Sequence, residues 1–169
     1  MTFHDELVSL IPALRRFARA LCGDPALADD LTQDCVERAL AKSHLYDPAR
    51  PLKAWLFAIL RNIFISGLRR NVRAAVVKNL DQLAPGEDAV PPSQESHAGV
   101  RDIADALAQL PDAHREAILL VALEDMSYRD VAEIAGVPIG TVMSRLSRAR
   151  ANLRVILDGA AQTRIRRVK

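Results

Sequence analysis

The chain is short of what sheets, disulfide frameworks and metal sites need. Aromatic residues make up 4% of the 169 residues and glycine occurs 7 times. Runs of alternating β-branched residues are nearly absent, which argues against a sheet. Two cysteines, Cys22 and Cys35, are too few for a disulfide framework or a zinc site. Both fall on apolar helix faces and read as small buried hydrophobes. His4, His44, His97 and His114 are scattered without an i, i+4 pair, so no metal is expected. No apolar run reaches the length of a membrane span, and the N-terminal segment lacks the pattern of a secretory signal. The expectation is a cytoplasmic protein without membrane insertion. There is no glycine-rich phosphate loop and no nucleophile elbow, so neither an enzyme nor a cofactor is expected.

What is present is apolar periodicity at helical spacing. Half of the residues are hydrophobic. Leu7, Leu10, Ile11, Leu14, Phe17 and Leu21 form a one-sided stripe, and Gly23 ends that helix. Asp24-Pro25 opens a second helix, with Asp as cap and Pro at its first position. Leu27, Leu31, Cys35, Ala39 and Leu40 form its expected inner face. Two prolines within Tyr46–Pro51 make a loop, and Pro51 starts a third helix carrying Leu52, Trp55, Leu56, Ile59, Leu60, Ile63 and Leu68. The chain then turns rich in Pro, Ser, Gln and acids until about Ala98, which reads as a tether with at most a short turn at Leu80 and Leu83. Helices follow near Val100–Leu110 and from Pro111-Asp112, and the basic tail beyond Gly159 is expected to fray. The predicted architecture is all-α: a helical domain over 1–74, a flexible linker over 75–99 and a second helical domain over 100–169.

The segment Ser127–Arg150 carries the clearest motif. Ser127 is placed to cap a helix, with Asp130 answering it. Val131, Ile134 and Ala135 supply the inner face, Gly136 supplies the left-handed residue of a turn, and Val137 plugs it. Val142, Leu146 and Ala149 recur at helical spacing and leave Thr141, Ser144, Arg145, Ser147 and Arg148 facing outward. This is the pattern of a helix-turn-helix, whose second helix enters the major groove of DNA. A net charge of only +2 hides segregation. Arg145, Arg148, Arg150, Arg154, Arg164, Arg166, Arg167 and Lys169 face a single acid, Asp158, at the C-terminal end, as suits a polyanion. Lys53, Arg61, Asn62, Arg69, Arg70 and Arg73 give the third helix further donors for bases or phosphates. Trp55 reads as core from its stripe, and as a stacking platform if exposed. Asp30, Gln33, Asp34, Glu37 and Arg38 make an acidic face on the second helix. That face would repel DNA and suits a protein partner.

Taken together these segments resemble one family. Ala28–Leu40 is similar to the helix with which bacterial sigma factors grip core RNA polymerase. Ala54–Asn62 with Leu68-Arg-Arg70 is similar to their promoter-melting helix. Leu110–Arg115 and Ser127–Arg150 resemble their C-terminal helix-turn-helix. Two domains alone point to the small extracytoplasmic-function type of the sigma-70 family, and the first helix and Trp55–Asn62 also resemble the general-stress sigma factors of alphaproteobacteria. The resemblance implies that Asp30, Leu31, Gln33, Asp34 and Arg38 contact core polymerase. It implies that the Leu45–Pro51 loop cradles a base flipped from the minus-ten element. Tyr46, Lys53, Arg61, Asn62, Arg69 and Arg70 would bind that DNA. It assigns Thr141, Ser144, Arg145, Ser147 and Arg148 to the minus-thirty-five element, and Arg115 and Tyr128 to phosphates. An anti-sigma factor is the implied regulator and a stress regulon the implied output. Met143 departs from the pattern, since many relatives carry Arg or Lys there. A thioether cannot donate to guanine, which leaves an apolar contact to a thymine methyl or no base contact at all. Two alternatives stand beside this reading. A stand-alone helix-turn-helix regulator would bind duplex tightly without polymerase. A recombinase-like enzyme would need a nucleophile, for which Tyr46 near Arg50 is the one candidate, and the sigma-like loop accounts for it better.

Overall fold

In the computed structural model, which describes residues 2–81 and 98–167 and the side chains of 2–71 and 101–159, every regular element is helical. The elements are α1 (Phe3–Cys22), α2 (Pro25–Ala41), a 3-10 turn (Ser43–Leu45), α3 (Leu52–Asp81), α4 (Ala98–Ala108), α5 (Asp112–Ala122), α6 (Tyr128–Ala135) and α7 (Ile139–Arg167). Local chemistry sets the boundaries. Thr2 and Asp5 exchange hydrogen bonds in a capping box, with Asp5 N donating to Thr2 Oγ1 at 3.2 Å and Thr2 N to Asp5 Oδ2 at 2.9 Å. Gly23 ends α1 at φ 73°, a left-handed conformation that costs glycine little. The Asp24 carboxylate accepts from the backbone N–H of Ala26 and Leu27 at 2.8 and 3.2 Å, and Pro25 takes the first helical position. The second domain repeats the scheme. Ser127 Oγ accepts from Asp130 N at 3.1 Å, and Gly136 closes α6 at φ 65°.

The first domain packs α1, α2 and α3 around Leu7, Leu14, Phe17, Leu21, Leu31, Leu52, Leu56, Phe57 and Leu60. The Phe17 and Phe57 rings lie 5.1 Å apart in a tilted pair. The second domain wraps α5, α6 and α7 around Leu119, Leu120, Met126, Val131, Ile134, Val142, Leu146 and Ala149. The two cores join: α5 lies on α1, α6 lies on α3, and the buried residues form one continuous apolar cluster.

Three expectations change. The inner face of α2 is Ala28, Leu31, Thr32, Cys35 and Ala39, whereas Leu27 and Leu40 are 43% and 39% exposed. Small residues let α2 approach its neighbours closely, and this turns the two larger leucines outward. The third helix runs to Asp81, into the expected linker, because no proline or glycine interrupts it after Gly67. The rest of that linker, 82–97, lies outside the described residues, as does Leu83. The tail beyond Gly159 continues α7 to Arg167 rather than fraying from that point, since it holds no proline. Cys35 is buried, as expected, and burial pushes its thiol up to about 12. Cys22 is half-buried, with its Sγ donating to Asp24 O at 3.2 Å.

Candidate nucleic-acid and partner interfaces

Three surfaces can be built upward from these elements. The first is the outer face of α2. Asp30, Gln33, Asp34, Glu37 and Arg38 are all exposed there, and Gln33 Nε2 donates to Glu37 Oε1 at 3.0 Å one turn on. The exposed Leu27 and Leu40 bracket the patch. The result is an acidic face with apolar ends, suited to a protein with a basic surface. Leu31 does not share it: at 6% exposure it is part of the core, and it supports the face from beneath.

The second surface joins the loop before α3 to α3 itself. The Tyr46 hydroxyl donates to Arg50 O at 2.7 Å, pinning the loop. The Tyr46 ring packs at a tilt against Trp55 at 5.4 Å and against Phe3 at 5.6 Å between centroids. Trp55 is half-buried, neither fully core nor free. It lines a small cavity of about 120 Å³ with Arg50, Pro51, Ala54 and Ala58, closed on its far side by Asp130, Glu133 and Ile134 of α6. Along α3, Asn62, Arg69 and Arg70 are exposed. Lys53 and Arg61 are not free. Lys53 Nζ donates to Glu124 O at 2.5 Å and stands 3.4 Å from Glu124 Oε2, and Arg61 pairs with Glu116.

The third surface is the outward side of α7, where Ser144, Ser147 and Arg148 are exposed. Thr141 and Arg145 are half-buried, and Arg145 turns toward the first domain. Tyr128 is half-buried. Arg115 is engaged within the chain. Its side chain is 13% exposed, and its guanidinium donates to Leu21 O at 2.8 Å, Leu110 O at 3.1 Å and Asp112 Oδ1 at 2.8 Å, which ties α5 to the end of α1.

Ion pairs between remote residues hold the two domains together. Arg16 on α1 grips Glu124 with Nε at 3.1 Å from Oε1 and Nη2 at 2.8 and 3.0 Å from the two oxygens. The Glu124 side chain is 0% exposed. Arg50 stands 3.6 Å from Glu133. Each described ion pair between the domains thus sets a cation of the first against a carboxylate of the second. Burial is the largest influence on Glu116 and pushes its carboxyl above the usual range, against the pull of Arg61. Beside this pair opens a cleft of about 740 Å³ lined by Phe64, Ile65, Leu68, Arg69 and Arg70 of α3 and by Asp112 and Arg145. No sequence signal marked these contacts, because the partners lie 55, 71 and 108 positions apart along the chain. Among the described residues no group of His, Cys, Asp and Glu could hold a metal ion, and no helix is long and apolar enough to cross a membrane.

Comparisons with known proteins follow the two domains. Residues 7–61 match the family model "Sigma2 domain of PhyR" and residues 101–153 match "Sigma-70, region 4". The chain is 39% identical over 161 residues to the ECF RNA polymerase sigma factor EcfG of Rhodopseudomonas palustris, covering 94% of this chain and 88% of that protein. It is 37% identical over 152 residues to the ECF RNA polymerase sigma factor SigL of Mycobacterium tuberculosis, covering 89% and 86%. Among solved structures, it is similar to the sigma factor RpoE of Bartonella quintana in complex with the anti-sigma factor NepR. That match has a TM-score of 0.78 and 40% identity, over 92% of this chain and 96% of that one.

Proposed function

The chain belongs to the extracytoplasmic-function sigma factors of RNA polymerase, and we propose that it is a dissociable polymerase subunit whose closed form hides part of its own DNA-binding surface. The observation that carries this reading is the pairing of Lys53 and Arg61 with Glu124 and Glu116. Cations suited to a phosphate backbone are met by carboxylates in the manner of phosphates. The closed form is also too small for its task. A compact chain of 169 residues has a radius of gyration of about 15 Å. Elements near positions minus ten and minus thirty-five lie about 85 Å apart at about 3.4 Å per base pair. The domains must therefore part for both to engage.

In the open form the acidic face of α2, with Asp30, Gln33, Asp34 and Arg38, docks on core polymerase. Tyr46, Lys53, Arg61, Asn62, Arg69 and Arg70 take the minus-ten strand, and the Leu45–Pro51 loop receives an unstacked base. Unstacking costs a few kcal/mol, which a pocket and a cationic track offset. Thr141, Ser144, Arg145, Ser147 and Arg148 read the minus-thirty-five element, with Tyr128 and, once released from Leu21, Arg115 on phosphates. The polymerase performs the chemistry in the cytoplasm. An anti-sigma polypeptide is the regulator, by analogy with the NepR-bound relative, and a stress regulon is the output. Run-off transcription with purified core polymerase tests the reading. A transcript that depends on both this protein and a cognate promoter is expected, and none in the absence of inhibitor overturns it.

A further inference from the structure

What the recognition helix reads can be taken further, resting on the promoter reading above. Val142 and Ala149 are 0% exposed and Leu146 1%, so they fix the rotation of α7 on its domain. Two rows at i, i+4 spacing then run side by side next to the buried stripe. One is Gly140, Ser144 and Arg148, on the outer face. The other is Ile139, Met143 and Ser147, which starts at the edge of the buried stripe, three residues before Val142, and turns outward from there; Ile139 is 47% and Met143 50% exposed. Two large apolar side chains thus stand in solvent on the first turns of the helix, the part that meets base edges. Neither can donate to guanine O6 or N7, and both suit a methyl group.

We propose that Ile139 and Met143 are specificity-determining residues that read the C5-methyl groups of thymines in the minus-thirty-five element. At 1.5 Å rise per residue they are about 6 Å apart along the helix, close to two base-pair steps of about 3.4 Å. They therefore reach two methyls one or two steps apart. DNA is the occupant because the pair is continuous with a polar reading face: Ser144, Ser147, Arg148 and Arg150 are all exposed around it.

The test uses the full chain with core polymerase and promoters selected from a pool randomised over the minus-thirty-five region. Selected sites should carry thymine, on either strand, at two positions one or two steps apart. Each is then replaced by deoxyuridine, which keeps the pairing and the O4 acceptor but lacks the methyl. Loss of a buried methyl should weaken wild-type binding about fourfold. Met143→Ala should bind thymine and deoxyuridine templates equally at one position and Ile139→Ala at the other, while Met143→Lys should move the preference there toward guanine. Both side chains are exposed, so folding is not at stake. Selected sites without thymine, equal wild-type binding of the two templates, or discrimination that survives both alanine variants overturns the inference. So does a Met143→Ala variant that loses only affinity for a protein inhibitor. Failure to select any promoter overturns the sigma-factor reading itself, whereas loss of methyl discrimination alone leaves that reading standing.

Discussion

The substitution Arg16→Ala tests the closed state directly. The Glu124 carboxylate is fully buried and has two cations: Arg16, bonded at 2.8–3.1 Å, and Lys53 at 3.4 Å. Removing one partner of a buried pair costs about 3–5 kcal/mol, because a charge is left without compensation. Here Lys53 remains, and the Arg16 side chain is 53% exposed and already half-solvated. The cost to closure should therefore fall lower, at about 2 kcal/mol. That is about a 30-fold shift toward the open form. Energy transfer between dyes on the exposed Ser9 and Arg129, one in each domain, should fall accordingly. If the closed form dominates in the free protein, affinity for core polymerase should rise by up to the same factor, since apparent affinity scales with the competent fraction. Unchanged energy transfer together with unchanged polymerase affinity would refute the idea that Glu124 holds the domains together.

Three further outcomes are expected. Asp34→Arg lies on the exposed face of α2 and should weaken polymerase binding at least tenfold by like-charge contact while leaving the melting temperature alone; polymerase affinity equal to wild type would remove α2 from the docking surface. Arg148→Ala should cost about 1–3 kcal/mol in promoter binding at a single base position if its guanidinium reads a base, which a set of point-substituted promoters would reveal; a uniform loss across sequences would make it a phosphate contact instead. Glu116 supplies a pH signature. Its carboxyl is raised by burial in the folded chain, so its contribution to stability is full below the ordinary carboxylate range and is lost as pH rises through the folded value. Glu116→Gln should flatten the pH dependence of thermal stability in the mildly acidic range, and an unaltered slope would show that the shift is not coupled to folding.

The caps and turns were legible because each depends on residues within a few positions of one another. Asp24-Pro25, Gly23, Ser127 with Asp130, and Gly136 all act where the sequence suggests. The recognition helix was legible too, since Val142, Leu146 and Ala149 repeat at its period and are buried. The orientation of α2 was not. Size alone favoured Leu27 and Leu40 as inner residues, and only the close approach allowed by Ala28, Cys35 and Ala39 turns them out. The candidate DNA surface was legible as a set of residue types. Its present engagement was not, because the partners are remote: Arg61 meets Glu116 55 positions away and Arg16 meets Glu124 108 positions away.

The order of residues by itself determined the all-helical class, the capped boundaries, the acidic and basic segregation and the helix-turn-helix, since these follow from local hydrogen bonding and a period of 3.6 residues. Tertiary structure alone decided which charges meet across the domains. It buried Glu116 and Glu124 against cations otherwise suited to nucleic acid, and left Ile139 and Met143 in solvent. Both results come from how whole helices rotate and stack on one another, which no local pattern in the chain encodes.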